Sequence, residues 1–248
     1  MGNGFISGEQ FHSEDASGFG LFAGEHRLWW GCMTVLNIRT ARAIWLVDSR
    51  DLNPRGIDIF PILDALRVRY NFQTYPTRVE EANEHDPKGI VFANGSFATG
   101  SGRHAIAKAT MYGDGIVVDS TSSTEFGDAF LADALTFLYT QFGLTYQPDM
   151  VHTKIYVSEM IVRINKDLAG IFAPLTAFQE RLRSLSGKDF QPAGFAMSID
   201  PASARFQPVA FKFEREAGKP FSQFRYFTSA PLRTNEHEDL LRHMEPAL

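Results

Sequence analysis

Residues 113–143, GDGIVVDSTSSTEFGDAFLADALTFLYTQFG, decide the fold class of this chain. Gly113-Asp114-Gly115 tolerates the positive φ that tight turns demand, so it predicts a β-hairpin. Residues 115–120 then read as strand. Ser120 to Thr124 form a bend rich in hydroxyls. Beyond it, Phe126, Phe130, Leu131, Ala134, Leu138 and Phe142 recur at the spacing of one helix face. Ser122 and Thr124 offer N-caps, Glu125 and Asp128 lie in the first turns, and Gly143 stops the helix. A hairpin that feeds a capped helix belongs to the grammar of α+β proteins.

Reading upstream from this stretch, strands are predicted at 103–112 and 88–98, and an acidic run at 80–86 forms a loop or one helical turn. A short strand, Phe72 to Tyr75, stops at Pro76. Ile59, Ile62, Leu63, Leu66 and Tyr70 repeat at helical spacing after the turn at Pro54 and Gly56. Residues 27–38 and 42–48 read as two strands, on their β-branched and aromatic content. Downstream, residues 153–165 (TKIYVSEMIVRIN) are apolar on both faces, as a central strand should be. Leu168, Phe172, Leu175, Phe178, Leu182 and Leu185 share one helical face, with Pro174 near its first turn. Three strands follow near 194–199, 207–214 and 221–229. Residues 235–245 close the chain as a helix, with Asn235 and Glu238 placed for a capping box.

The order helix, strands, helix therefore occurs twice, over 59–142 and 168–245. Two similar α-βββ-α halves would follow from a duplication, but the two stretches share few identities. The ordinary grammar of α+β folds explains the order as well and is the reading adopted. The expectation is one α+β domain over 25–248, mostly antiparallel sheet with helices packed on it.

Composition narrows the function classes. The chain has 248 residues, a net charge of -5 and 44% hydrophobic content, with 22 Phe and one Cys. That is too apolar for a disordered chain. Cys32 alone cannot make a disulfide scaffold, and it fits a reducing, cytoplasmic setting. No run reaches the roughly 18 apolar residues of a membrane span. Residues 1–24 hold no Lys or Arg, so they lack a targeting signature. Met1-Gly2 suggests myristoylation, but Ile6 stands where the hydroxyl belongs. This Gly- and Ser-rich segment reads as an arm. Its Phe5, Phe11, Phe19 and Phe22 suit docking on a neighbouring surface, and folding back on its own domain suits them equally.

Charge is segregated along the chain. The net is -3 over residues 1–24, -4 over 25–153, +5 over 154–233 and -3 over 235–248. Such blocks imply internal complementarity, a subunit contact or an anionic partner.

Catalytic signatures are scarce. The glycines at 95, 100 and 102 lack the Lys and spacing of a phosphate loop, and no nucleophile elbow occurs. The seven His residues never fall at metal-binding helix spacing, and no metal or cofactor is expected. Asp119, Glu125 and Asp128 form the one enzyme-like set, since carboxylates at a strand end and a helix start can hold Mg²⁺ or activate water. Helix capping explains the same acids more simply. Arg205 to Arg233 alternate cations with Phe and Tyr, a pattern that can stack single-stranded nucleic acid. The strand periodicity of Val209, Phe211 and Phe213 and a pI near 5.8 argue instead for core. The expectation is a non-enzymatic assembly or interaction protein, self-associating or bound to protein partners, with Phe5, Phe11, Phe19, Phe22, Arg225 and Arg233 as contact residues. The alternatives are a metal-assisted hydrolase or phosphoryl-transfer enzyme on the three carboxylates, and an anionic-ligand binder on 205–233.

Overall fold

Strand β1, Thr34–Leu46, runs at the centre of the sheet, and the other strands are added on either side of it. The structure, a computed structural model, describes residues 33–100, 102–203 and 208–248. After β1 come a single helical turn α1 (Ser49–Leu52), helix α2 (Ile59–Tyr70) and strands β2 (Ile90–Thr99), β3 (Gly102–Tyr112) and β4 (Gly115–Ser120). Helix α3 (Thr124–Phe142) and strand β5 (Thr153–Arg163) follow. The chain then forms α4 (Thr176–Ser186), β6 (Gly194–Met197), β7 (Phe211–Arg215), β8 (Arg225–Ala230) and α5 (Thr234–Met244).

All eight strands make one antiparallel sheet in the order β2-β3-β4-β1-β5-β8-β7-β6. The protein is mixed α+β, with helices packed on an antiparallel sheet, as expected. From the centre outward the sheet reads 1-4-3-2 on one side and 5-8-7-6 on the other. The residues Ser120, Ala41, Ser158 and Ala230 lie in one row across its four middle strands.

Alternation along the strands separates two faces. Ala43, Trp45, Ile116 and Val118 point to one face and meet Phe126, Phe130, Leu131 and Leu135 of α3 together with Ile62, Leu63 and Leu66 of α2. Gly127 is needed here, because a Cβ on it would lie 3.0 Å from Ala43 Cβ and 3.1 Å from Val118 Cγ1. Met160, Val162, Phe213 and Tyr226 point to the same face and pack with Leu241 of α5. Helices α2, α3 and α5 thus cover one side of the sheet.

Several boundaries differ from the sequence reading. β1 is one strand, and its irregularity is absorbed by register shifts between Val35 and Asn37 and between Ile38 and Thr40, which behave as bulges. Residues 27–32 lie outside the described residues. The strand expected at Phe72 to Tyr75 is a single bridge, Thr74 to Ala93. The helix expected from 168 begins only at Thr176, after a 3-10 turn at Ala173–Leu175, where Pro174 has no N–H to donate. The Gly113-Asp114 loop closes its hairpin without positive φ at either residue. The expected capping box on Asn235 and Glu238 does not form; α5 starts one residue earlier, where the Arg233 N–H donates to Glu236 Oε2 at 3.1 Å.

Candidate functional site

The three carboxylates singled out in the sequence are distributed over both faces of the sheet. Asp119 pairs in register with Arg42 on the face away from the helices. Arg42 Nε donates to Asp119 Oδ1 at 2.6 Å and Nη2 to Oδ2 at 3.0 Å. This two-pronged bond raises the Arg42 pKa further, against the opposing effect of its partial burial.

Asp128 lies on the opposite side, in the second turn of α3. Its Oδ1 accepts from Trp45 Nε1 at 2.7 Å and its Oδ2 from the Tyr156 hydroxyl at 2.8 Å. Arg233 completes the set, with Nη2 2.9 Å from Asp128 Oδ2 and donating to Tyr156 Oη at 2.6 Å. Burial, followed by the bond to Asp128, pushes the Tyr156 hydroxyl up to about 12. Lys154 Nζ sits 3.8 Å from the centre of the Trp45 ring. The network ties β1, β5, α3 and the start of α5 together, and its polar atoms are spent on one another.

Glu125 occupies the first turn of α3, where Ser123 rather than Ser122 or Thr124 caps the helix by accepting from the Phe126 N–H at 3.1 Å. The buried Oε1 of Glu125 has no hydrogen-bond partner among the described residues. Ser122 Oγ lies 3.2 Å from His104 Nδ1, a Ser–His contact between strand β3 and the bend before α3. Sequence reasoning missed it because the two residues are brought together only by strand pairing. Among the described residues, no three His, Cys, Asp or Glu side chains gather as a metal ion would require.

Part of the basic aromatic block is internally engaged. Phe213 and Tyr226 are buried and stack at 4.6 Å, and Arg215 Nη2 bonds Asp167 at 3.0 and 3.1 Å. Arg225 pairs with Glu216. Of the expected contact residues, Arg225 and Arg233 therefore hold internal partners, while Phe5, Phe11, Phe19 and Phe22 lie outside the described residues, as do the rest of the 1–24 arm and Arg205.

The unspent surface is on and around α4. None of its residues is buried, although α2, which also follows a central strand, buries Ile62, Leu63, Leu66 and Tyr70. Phe178 and Leu185 are 65% and 69% exposed, and Leu175 and Phe190, which share a groove with Phe178, are exposed as well. Phe172, Leu175, Phe178, Leu182, Phe190 and Pro192 line an open apolar groove of about 220 Å³. The chain matches no known protein family, and no curated protein is recognisably similar to it in sequence. No helix among the described residues is long and apolar enough to cross a membrane.

Proposed function

We propose that this chain is a non-enzymatic assembly protein, working in the cytoplasm as a subunit of an oligomer or of a larger protein complex. One observation carries the reading: α4 has an amphipathic sequence, yet it buries none of its residues and leaves Phe178 and Leu185 exposed. An apolar patch of this kind marks a contact surface in a soluble protein. The segregated charge blocks support the same reading, as does the Phe-bearing arm. A protein partner is favoured over nucleic acid because the aromatic residues of the basic block, Phe213 and Tyr226, stack inside the core.

Cross-linking in the native cell tests this. Lys188, just past the end of α4, is expected to cross-link to a second polypeptide, either another copy or a different protein. Cross-links confined within one chain, with a light-scattering mass of 27.8 kDa for the species isolated from that cell, overturn the proposal.

A further inference from the structure

We infer that the outer edge of β2 is a peptide-binding site, which takes an extended segment of another polypeptide as an added strand opposite Val91. The site uses β2 rather than α4 and does not depend on the assembly reading.

β2 is an end strand of the sheet, with β3 on one side and only a short piece of chain on the other. That piece is held by one antiparallel bridge. The Ala93 N–H donates to the Thr74 carbonyl at 2.9 Å, and the Thr74 N–H donates to the Ala93 carbonyl at 3.2 Å. In an antiparallel ladder the N–H and C=O of one residue point to the same side, and alternate residues point alike. Val91, two residues before Ala93, therefore turns both groups outward, while Phe92 turns its own toward Ala109 of β3. A continued ladder would set Pro76 opposite Val91. Pro76 has no N–H to give, and the chain leaves the sheet there and passes through a 3-10 turn at Val79–Ala82. Neither backbone group of Val91 has a partner among the described residues.

This departure leaves an open cleft of about 410 Å³ lined by Tyr75, Pro76 and Val91, within the span of about 300–1,000 Å³ usual for ligand sites. Four charged residues also line it. Glu81 Oε2 accepts from the Thr77 and Arg78 N–H groups at 2.8 and 3.3 Å, and Asp86 Oδ1 accepts from the Lys88 N–H at 2.8 Å. The other two side chains, Glu80 and Lys88, are exposed, opposite in sign and without an ion pair among the described residues. Such a rim selects neither an anion nor a cation. A peptide backbone is neutral and brings an acceptor for the Val91 N–H and a donor for its C=O. Strand addition at a sheet edge draws its affinity from main-chain bonds of this kind.

Amide hydrogen exchange and a methylation series test the inference. In the free chain the Val91 amide should exchange at least tenfold faster than those of Phe92 and Ala93, which are bonded. Capped, neutral hexapeptides of Val, Thr and Tyr in a combinatorial library supply the probe, and the tightest binder should slow Val91 exchange at least tenfold. N-methylation of that peptide should weaken binding at least tenfold at the position facing Val91 and spare the two beside it, because only alternate amides of a strand face its partner. Val91→Pro removes the outward N–H at an edge position that tolerates proline, and should bind at least tenfold more weakly with unchanged circular dichroism. A Val91 amide as protected in the free chain as that of Phe92 overturns the inference. So does a library with no member that slows its exchange, a methylation series with equal losses at adjacent positions, or a folded Val91→Pro variant that binds as well as wild type. If that variant loses its fold, the methylation series decides. Lys188 cross-links judge the assembly reading separately.

Discussion

His237 shows how one residue couples burial to pH. It is fully buried, and its Nε2 lies 2.8 Å from Thr228 Oγ1. Burial lowers its pKa from 6.5 to about 4, with the Ser158 backbone acting weakly in the other direction. Because the folded value lies below the unfolded one, the unfolded chain binds the extra proton between these limits. The contribution is therefore complete above pH 6.5 and is lost as pH falls toward 4. Urea denaturation at pH 7, 6, 5 and 4 should show wild-type stability falling more steeply than that of His237→Gln, by about 1–3 kcal/mol over the range. Parallel curves would remove His237 from the account. The neighbouring Ser158 Oγ is buried with no partner, so this corner already carries an unmet polar group and has little tolerance for a charge.

At the scale of elements, the two helices that begin beside the central row cap each other. The Thr124 N–H donates to Thr234 Oγ1 at 3.0 Å, and the Thr234 N–H donates to Thr124 Oγ1 at 2.8 Å. Both threonines are buried, so each hydroxyl answers a helix-terminal N–H that water cannot reach. Thr124→Val and Thr234→Val should each cost about 1–2 kcal/mol, and the double variant less than their sum. Strict additivity in the double-mutant cycle would show that the bonds act independently. This pairing was hidden in the sequence because it joins positions 110 residues apart. Features set by local chemistry were legible: α3 begins and ends where its hydroxyls and Gly143 place it, and the strands from β2 to β5 fall within about two residues of their expected bounds. The bulges of β1 depend on its partner strand and were not. Nor was the separation of Asp119 from Asp128, since sequence proximity says nothing about which side of a sheet a side chain occupies. The exposure of α4 was equally hidden. Its apolar spacing resembles that of a buried helix, but β6 and β7, which follow it in the chain, are only 4 and 5 residues long, against 10 and 11 for β2 and β3 at the opposite edge of the sheet. A narrow patch of sheet offers less surface for a helix to cover.

Across the whole molecule, the pairing of β1 with β5 makes one folding unit of two core clusters. Eleven register pairs run from Thr34 with Arg163 to Leu46 with Thr153, joining a first cluster that contains Leu66 to a second that contains Leu241. The Trp45–Asp128–Tyr156–Arg233 network and the threonine caps cross the same junction. Losing either cluster exposes the edge of a central strand whose backbone groups then need new partners. The two sides should therefore unfold together. Leu66→Ala and Leu241→Ala remove buried side chains on opposite sides of that junction, and each should cost about 2–5 kcal/mol. At roughly 2–4 °C per kcal/mol for a domain of this size, each should lower a single melting transition by about 4–20 °C. Calorimetry distinguishes the alternatives directly. If Leu241→Ala creates an early transition while a second one keeps the wild-type temperature, the β1–β5 junction does not couple the two sides. A single shifted peak in both variants would show that the sheet melts as one piece.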